Sequence, residues 1–282
     1  MDNNTLYVTD MDGTLLTSES RVSLQSVRII NQLTDMGARV TVATARTPAT
    51  VAEILSGVRL ALPAIVMTGA AMYDIGEGCY RNVCYLDPGV VKTALQMFDE
   101  AGVRPFVYTL RDDMIIHAFH DALMSPVEES FYVMRRDMKL KRFHIGERPD
   151  GNDMARTVLM FCVGEKMCFE SLAVRMSEAI GYPVTCYNDI FNDNTAFIEV
   201  FAPGVTKSRA VTDLAHSCGA SRVVAFGDNL NDMSMMHTAD IGVAVSNAYD
   251  EVKKSADVVI GSNNSDAVAR WIYKDFTGDD WR

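Results

Sequence analysis

LYVTDMDGTLL, residues 6–16, sets two acids, Asp10 and Asp12, at the end of an apolar run, with Gly13 and Thr14 directly behind them. LYVTD reads as a buried strand. Two carboxylates one residue apart repel each other, and a low local dielectric strengthens the repulsion. Such an arrangement needs a compensating cation, or a task that keeps one acid charged and the other protonated.

Working outward, the chain alternates strand and helix. SLQSVRIINQLTDMG reads as an amphipathic helix, with Val27, Ile30 and Leu33 or Thr34 near one face and Gly37 past its end. RVTVATA is a second strand, Thr47-Pro48 opens a short helix running to Leu55, and AIVM is a third strand. Alternation of this kind predicts an α/β fold with a doubly wound, mostly parallel, Rossmann-like sheet. From 71 to 86 the pattern changes to a hairpin, and from Asp87-Pro88 a new set of helices and strand pairs begins. After FIEVFAPG the first style returns, from KSRAVTDLAHSCG to the end. The predicted organisation is a core domain in two parts, 1–84 and 191–282, interrupted by a smaller inserted α+β domain at 85–190.

The chain has 282 residues, 48% of them hydrophobic, enough for one large or two ordinary cores. Its net charge of −11 argues against nucleic acid or an anionic membrane as the main partner. The first residues lack a basic and then apolar leader, and no apolar run is long enough to span a bilayer. The six cysteines form no CxxC pair, which fits reduced thiols in a cytoplasmic protein. The sequence leaves the oligomeric state open.

Placed on this layout, the polar residues fall at one edge. Asp10 and Asp12 end the first strand, Thr44 ends the second, and Asp228 ends VVAFGD, with Asn229, Asn231 and Asp232 in the turn behind it. Lys207 opens the helix after PGVT. Doubly wound sheets bind ligands at the carboxyl ends of their strands. Taken singly, Asp-x-Asp at a strand end is commonly a turn, Thr44 an ordinary strand residue and Lys207 a solvated first-turn lysine. Taken together, they suit a hard cation such as Mg²⁺ facing a substrate phosphate. Lys207 and the Thr44 hydroxyl could hold phosphate oxygens, Asp10 could attack phosphorus, and Asp12 could pass a proton to the leaving oxygen and take one from water.

These residues resemble the haloacid dehalogenase superfamily of phosphohydrolases, and within it the Cof-type branch with a type IIB cap. DMDGTLL is similar to the nucleophile loop, TVATAR to the segment carrying Thr44, GVTKSRAV to that carrying Lys207, and GDNLNDMSM to the metal motif. The tail from GVAVSNAYDEVKKSAD to the late asparagines follows the branch's pattern as well. The resemblance implies Asp10 as nucleophile, Asp12 as acid/base and Thr44 and Lys207 as catalytic partners. It implies a Mg²⁺ held by Asp10, the Asp12 carbonyl and Asp228, with Asp232 supporting the metal shell. Phosphate contacts would come from Met11, Gly13, Ala45, Arg46 and Asn231 as well as Asp10, Asp12, Thr44 and Lys207. The inserted domain would be the cap that sets substrate choice, with Arg111, His117, Arg135, Arg136, Lys139, Lys141, Arg142 and His144 as its polar candidates. Departures from the branch are Ala45 where Gly is common, Thr68 where Asn is usual, Ser208 after Lys207, and Ala267.

The implied activity is hydrolysis of a small phosphorylated metabolite, such as a sugar phosphate, through an aspartyl-phosphate. Asp12 argues against dehalogenase chemistry, because that branch has no acid at this position and no alkoxide leaving group to protonate. A phosphomutase, or a non-catalytic phosphate-binding regulator on the same fold, is the alternative. A signalling receiver would be far shorter and lack both DxDGT and GDxxND.

Overall fold

The computed structural model describes residues 4–121, 125–188 and 195–281, apart from the side chains of residues 165, 167, 168 and 188. The chain divides into two compact units, residues 1–82 with 205–282, and residues 83–204.

The first unit opens with β1 (Thr5–Thr9), buried along its whole length. A tight loop, Met11–Leu15, follows. Helix α1 (Leu24–Asp35) is capped by the Ser23 side chain, which accepts from the Ser26 amide. Its buried stripe is Ser26, Ile29, Ile30 and Leu33, one position N-terminal of the expected Val27 edge. Then come β2 (Arg39–Val42), α2 (Pro48–Ile54) and β3 (Ala64–Val66). Pro48 takes the first turn of α2 as expected, but the buried Thr47 hydroxyl makes no capping bond. The hairpin read at 71–86 is β4 (Ala71–Asp74) with β5 (Cys79–Arg81).

The second unit holds α3 (Pro88–Glu100), β6 (Phe106–Leu110), β7 (Ile116–His120), α4 (Pro126–Val133) and β8 (Lys141–Ile145). It continues with α5 (Gly151–Met154), β9 (Thr157–Glu165), α6 (Lys166–Ile180), β10 (Thr185–Asn188) and β11 (Thr195–Val200). Its six strands run in the order β10-β11-β9-β6-β7-β8, antiparallel except for the β7–β8 pair. One core packs Phe98 of α3 and Phe169 and Met176 of α6 with Phe119, Met160 and Ile198 of the sheet. A separate aromatic row links Phe131 of α4 to Phe106 and Phe161 at ring-centroid distances of 5.2 Å, and continues to Phe197 and Tyr187.

The chain then returns to the first unit with α7 (Lys207–Cys218), β12 (Arg222–Gly227), α8 (Met233–Thr238), β13 (Ile241–Val245), α9 (Asp250–Ser255), β14 (Val258–Ile260) and α10 (Ala267–Thr277). Five parallel strands run in the order β14-β13-β12-β1-β2. β1 lies between β12 and β2, so the strand ends carrying residues 10, 44 and 228 come together. A bridge between Ala43 and Ile65 carries the pairing on to β3.

The sequence-level boundary at 190/191 lies outside the described residues. β11, grouped there with the returning core segment, belongs instead to the second unit, because its registers with β9 and β10 satisfy its backbone in that sheet. Among the described residues, no helix is long and apolar enough to cross a membrane.

Candidate active site

Asp10 leaves β1 with its amide bonded to the Phe226 carbonyl (2.9 Å), so the tip of β12 fixes where its side chain begins. The carboxylate is buried, and its Oδ1 accepts from Lys207 Nζ at 2.6 Å. The same ammonium donates to Asp232 Oδ1 at 2.8 Å. Lys207 is only 3% exposed although it is the first residue of a helix. Thr206 caps that helix through the Arg209 amide, which turns the lysine inward.

Asp232 is fully buried, and its Oδ2 accepts the amides of Asp228 (3.2 Å) and Asn229 (3.1 Å). It therefore spends both oxygens on holding the turn and the lysine. Asp228 accepts from the Thr14 hydroxyl at 2.8 Å. Gly13, with φ +76°, lies against Asp228: a Cβ there would stand 2.3 Å from Oδ2. Only glycine satisfies both that backbone angle and that close approach.

Asp12 behaves differently from Asp10. It is exposed at the rim, and Arg46 forks onto it with Nε at 2.7 Å from Oδ2 and Nη2 at 2.6 Å from Oδ1. The repulsion expected between the two acids is thus met within the protein, Asp10 by Lys207 and Asp12 by Arg46. Thr44 is buried and its hydroxyl accepts the Arg46 amide at 3.2 Å, while Ala45 is exposed between them. Met11 is buried, and Asn231 is exposed on the turn that carries Asp232.

A strained strap braces this edge. Met67 and Thr68 both take left-handed backbone angles, φ 49° and 58°, and Gly69 follows at φ +99°. Their amides bind the Arg46 carbonyl (Met67) and the Thr44 carbonyl (Thr68), both at 3.0 Å. A Cβ on Gly69 would stand 2.5 Å from the Thr206 carbonyl oxygen, so the strap sits between the Thr44 loop and the Lys207 helix. A second brace comes from the tail. Asn247 donates to the Gly13 carbonyl (2.8 Å) and accepts the Asn263 amide (2.9 Å), and Asn263 donates to the Leu16 carbonyl (2.9 Å). The tail asparagines were visible only as a pattern; their hold on this loop was not.

Burial, reinforced by the negative charge of Asp232, raises the Asp10 carboxyl well above the usual range despite Lys207. Burial also lifts Asp228 to about 6, with Asp232 adding and Thr14 opposing. Burial works against charge on Lys207, but its two acids outweigh it and push the ammonium up. Asp10, Asp228 and Asp232 each offer a carboxylate oxygen, all within 4.8 Å of one another. Three carboxylates around one ammonium leave two negative charges. Asp10 and Asp228 each give only one oxygen to the hydrogen bonds above. A hard divalent cation fits this donor set, with Asp232 as support.

In the second unit the candidate polar residues fall into separate groups. Arg111 pairs with Asp153 through two bonds of 2.8 Å. His117 bonds His144 (2.8 Å) and Asp113 (3.0 Å). Lys141 is buried among rings.

A model of the haloacid dehalogenase-like hydrolases matches residues 7–272, and the chain belongs to that family. Pyridoxal phosphate phosphatase YbhA of Escherichia coli is 26% identical over 94% of this chain and 96% of its own. The 5-amino-6-(5-phospho-D-ribitylamino)uracil phosphatase YcsE of Bacillus subtilis is 24% identical over 95% and 94%. A haloacid dehalogenase-like hydrolase from Bacteroides thetaiotaomicron has the same fold, with a TM-score of 0.78 at 20% identity over 96% of this chain and 99% of its own.

Proposed function

We propose that this chain is a Mg²⁺-dependent phosphatase that hydrolyses a small phosphomonoester through a phosphorylated Asp10. The observation that carries the reading is the Lys207 ammonium bridging Asp10 and Asp232. It fixes Asp10 by one oxygen, beside Asp228, and leaves the other for phosphorus.

In this reading Asp10 attacks phosphorus and the bond to the leaving alcohol breaks, while Asp12 protonates the departing alkoxide. Water then attacks the aspartyl-phosphate. Asp12 takes a proton from it, and phosphate leaves with Asp10 restored. Arg46 holds Asp12 in one orientation for both transfers. Lys207, the Thr44 hydroxyl, Arg46, Asn231 and the backbone of Met11, Gly13 and Ala45 hold the phosphate oxygens. Asp10, Asp228 and the Asp12 carbonyl would hold Mg²⁺, with Asp232 behind them. Bound there, the ion supplies positive charge that offsets the phosphate against the carboxylates.

The second unit is assigned the family's cap role, selecting the substrate. The two phosphatases above are named for substrates that join one phosphomonoester to a small heterocyclic frame. A substrate of that size class is the reading for this chain too. The test is phosphate release from a panel holding both compounds and several sugar phosphates, with Mg²⁺ and with chelator. Metal-dependent release that ranks the panel supports the reading. Release indifferent to chelator and to Asp10→Asn contradicts it.

A further inference from the structure

We propose that the second unit carries a separate anion-binding pocket, formed by Arg136, Lys139 and Lys141 with the rings of Tyr132 and Phe143, that takes a small ligand bearing a phosphate-type oxyanion. The cavity has about 280 Å³, just below the usual range of small-molecule sites and enough for an oxyanion, and no acidic residue lines it. Arg142 borders it too, but also helps hold Asp113 ionised. A pocket with cations and no acid stands out in a chain of net charge −11.

The pairing of three of the unit's other arginines sharpens the contrast. Arg111 is bound to Asp153, Arg148 to Asp99 and Arg156 to Asp112. Lys139 and Lys141 form no ion pair among the described residues, and Arg136 reaches only its exposed neighbour Asp137, at 3.6 Å.

Lys141 is the decisive member. It is 4% exposed, on β8 two residues before Phe143, so both lie on one face of the strand. Its Nζ is 3.3 Å from the Tyr108 hydroxyl and 4.5 Å from that ring's centroid, with Phe143 and Phe131 at 5.8 and 5.9 Å. Tyr132 meets Phe143 edge-on at 5.2 Å. The rings favour a cation but do not neutralise it. Glu199, also buried, accepts from Tyr187 instead (3.2 Å). A buried ammonium without a carboxylate either loses its proton or takes an anion from outside. Burial and nearby Arg135 push Lys141 down to about 7, so an arriving anion would restore its charge at neutral pH.

This inference goes beyond the phosphatase reading, and its binding test requires no turnover. The full chain, in chelator, is titrated calorimetrically with sulfate at pH 7.5 in two buffers of different protonation heat. Sulfate does not itself titrate there. The expected result is a binding event with net proton uptake. Arg136→Gln/Lys139→Gln, both exposed positions, weakens it at least tenfold, and Lys141→Met abolishes the uptake. No binding, or affinity and proton uptake unchanged in the double variant, would overturn the proposal and leave an adventitious ion only. Kinetics then identify the source of the anion. If it belongs to the substrate, the double variant raises KM for a bisphosphate and not for p-nitrophenyl phosphate. If it is a separate ligand, sulfate changes turnover of p-nitrophenyl phosphate in the wild type and not in the double variant.

Discussion

Asn247 Nδ2 donates to the Gly13 carbonyl at 2.8 Å, tying the tip of β13 to the loop that carries Asp10 and Asp12, 234 residues away in sequence. Asn263 completes the clamp by binding both Asn247 and the Leu16 carbonyl. The contact is exposed, so water can partly replace it, and about 1 kcal/mol is at stake. Asn247→Ala is expected to lower kcat about fivefold with KM little changed, because the clamp orients the loop and touches no substrate. Asn247→Asp should be worse, since a carboxylate cannot donate to a carbonyl. Steady-state kinetics on one phosphomonoester check both.

Arg46 binds Asp12 through two parallel bonds that lysine cannot reproduce. The Asp12 side chain is 52% exposed, so solvent screens the pair and the loss is modest. Arg46→Lys is expected to reduce kcat/KM about five- to tenfold. An unchanged value would show that Asp12 needs no such partner.

Thr68 stands at φ 58°, ψ 18°, a region that is strained for a β-branched residue and tolerated by asparagine. Thr68→Asn should relieve about 1 kcal/mol and raise Tm by a few degrees. Its amide bond to Thr44 should persist, leaving kcat near wild type. Thermal unfolding and kinetics on the same preparation test both halves.

Burial raises Glu199 to about 7, with the Tyr187 hydroxyl opposing. The unfolded chain loses this proton near pH 4 to 5, whereas the folded chain keeps it to about 7. In that window the native state binds more protons, so stability falls as pH rises, by up to tenfold in the folding equilibrium per pH unit. Glu199→Gln should make this slope shallower, leaving the part due to Asp10 and Asp228, which denaturant unfolding of both proteins at pH 5 and pH 8 would reveal.

The convergence of Asp10, Lys207, Asp228 and Asp232 was legible because each sits at the end or start of a strongly patterned element, and doubly wound topology decides which ends meet. What each acid touches was not legible. Nothing in TVATAR signals that Arg46 would turn to Asp12, or that Asp232 would spend both oxygens on a lysine and a turn. Strand β8 is not legible in the sequence, because KRFHI is charged at its first two positions and lies at a sheet edge, where alternation fades. β11 was placed with the wrong unit because FIEV is as apolar as a core strand, and only pairing with β9 decides its sheet.

The central claim is that Asp10 itself carries the phosphoryl group. The most direct measurement is a single turnover with enzyme in excess, quenched in acid within milliseconds, treated with borohydride and read by mass spectrometry of the Asp10 peptide. Water attacks phosphorus of the aspartyl-phosphate and leaves both carboxylate oxygens in place, so the intermediate is read by reduction of its acyl carbon to an alcohol, with phosphate as the leaving group. The account predicts reduction of the side chain at Asp10 and at neither Asp12 nor Asp228. Phosphate release with no reducible Asp10 at any quench time would contradict it and point to direct attack by water.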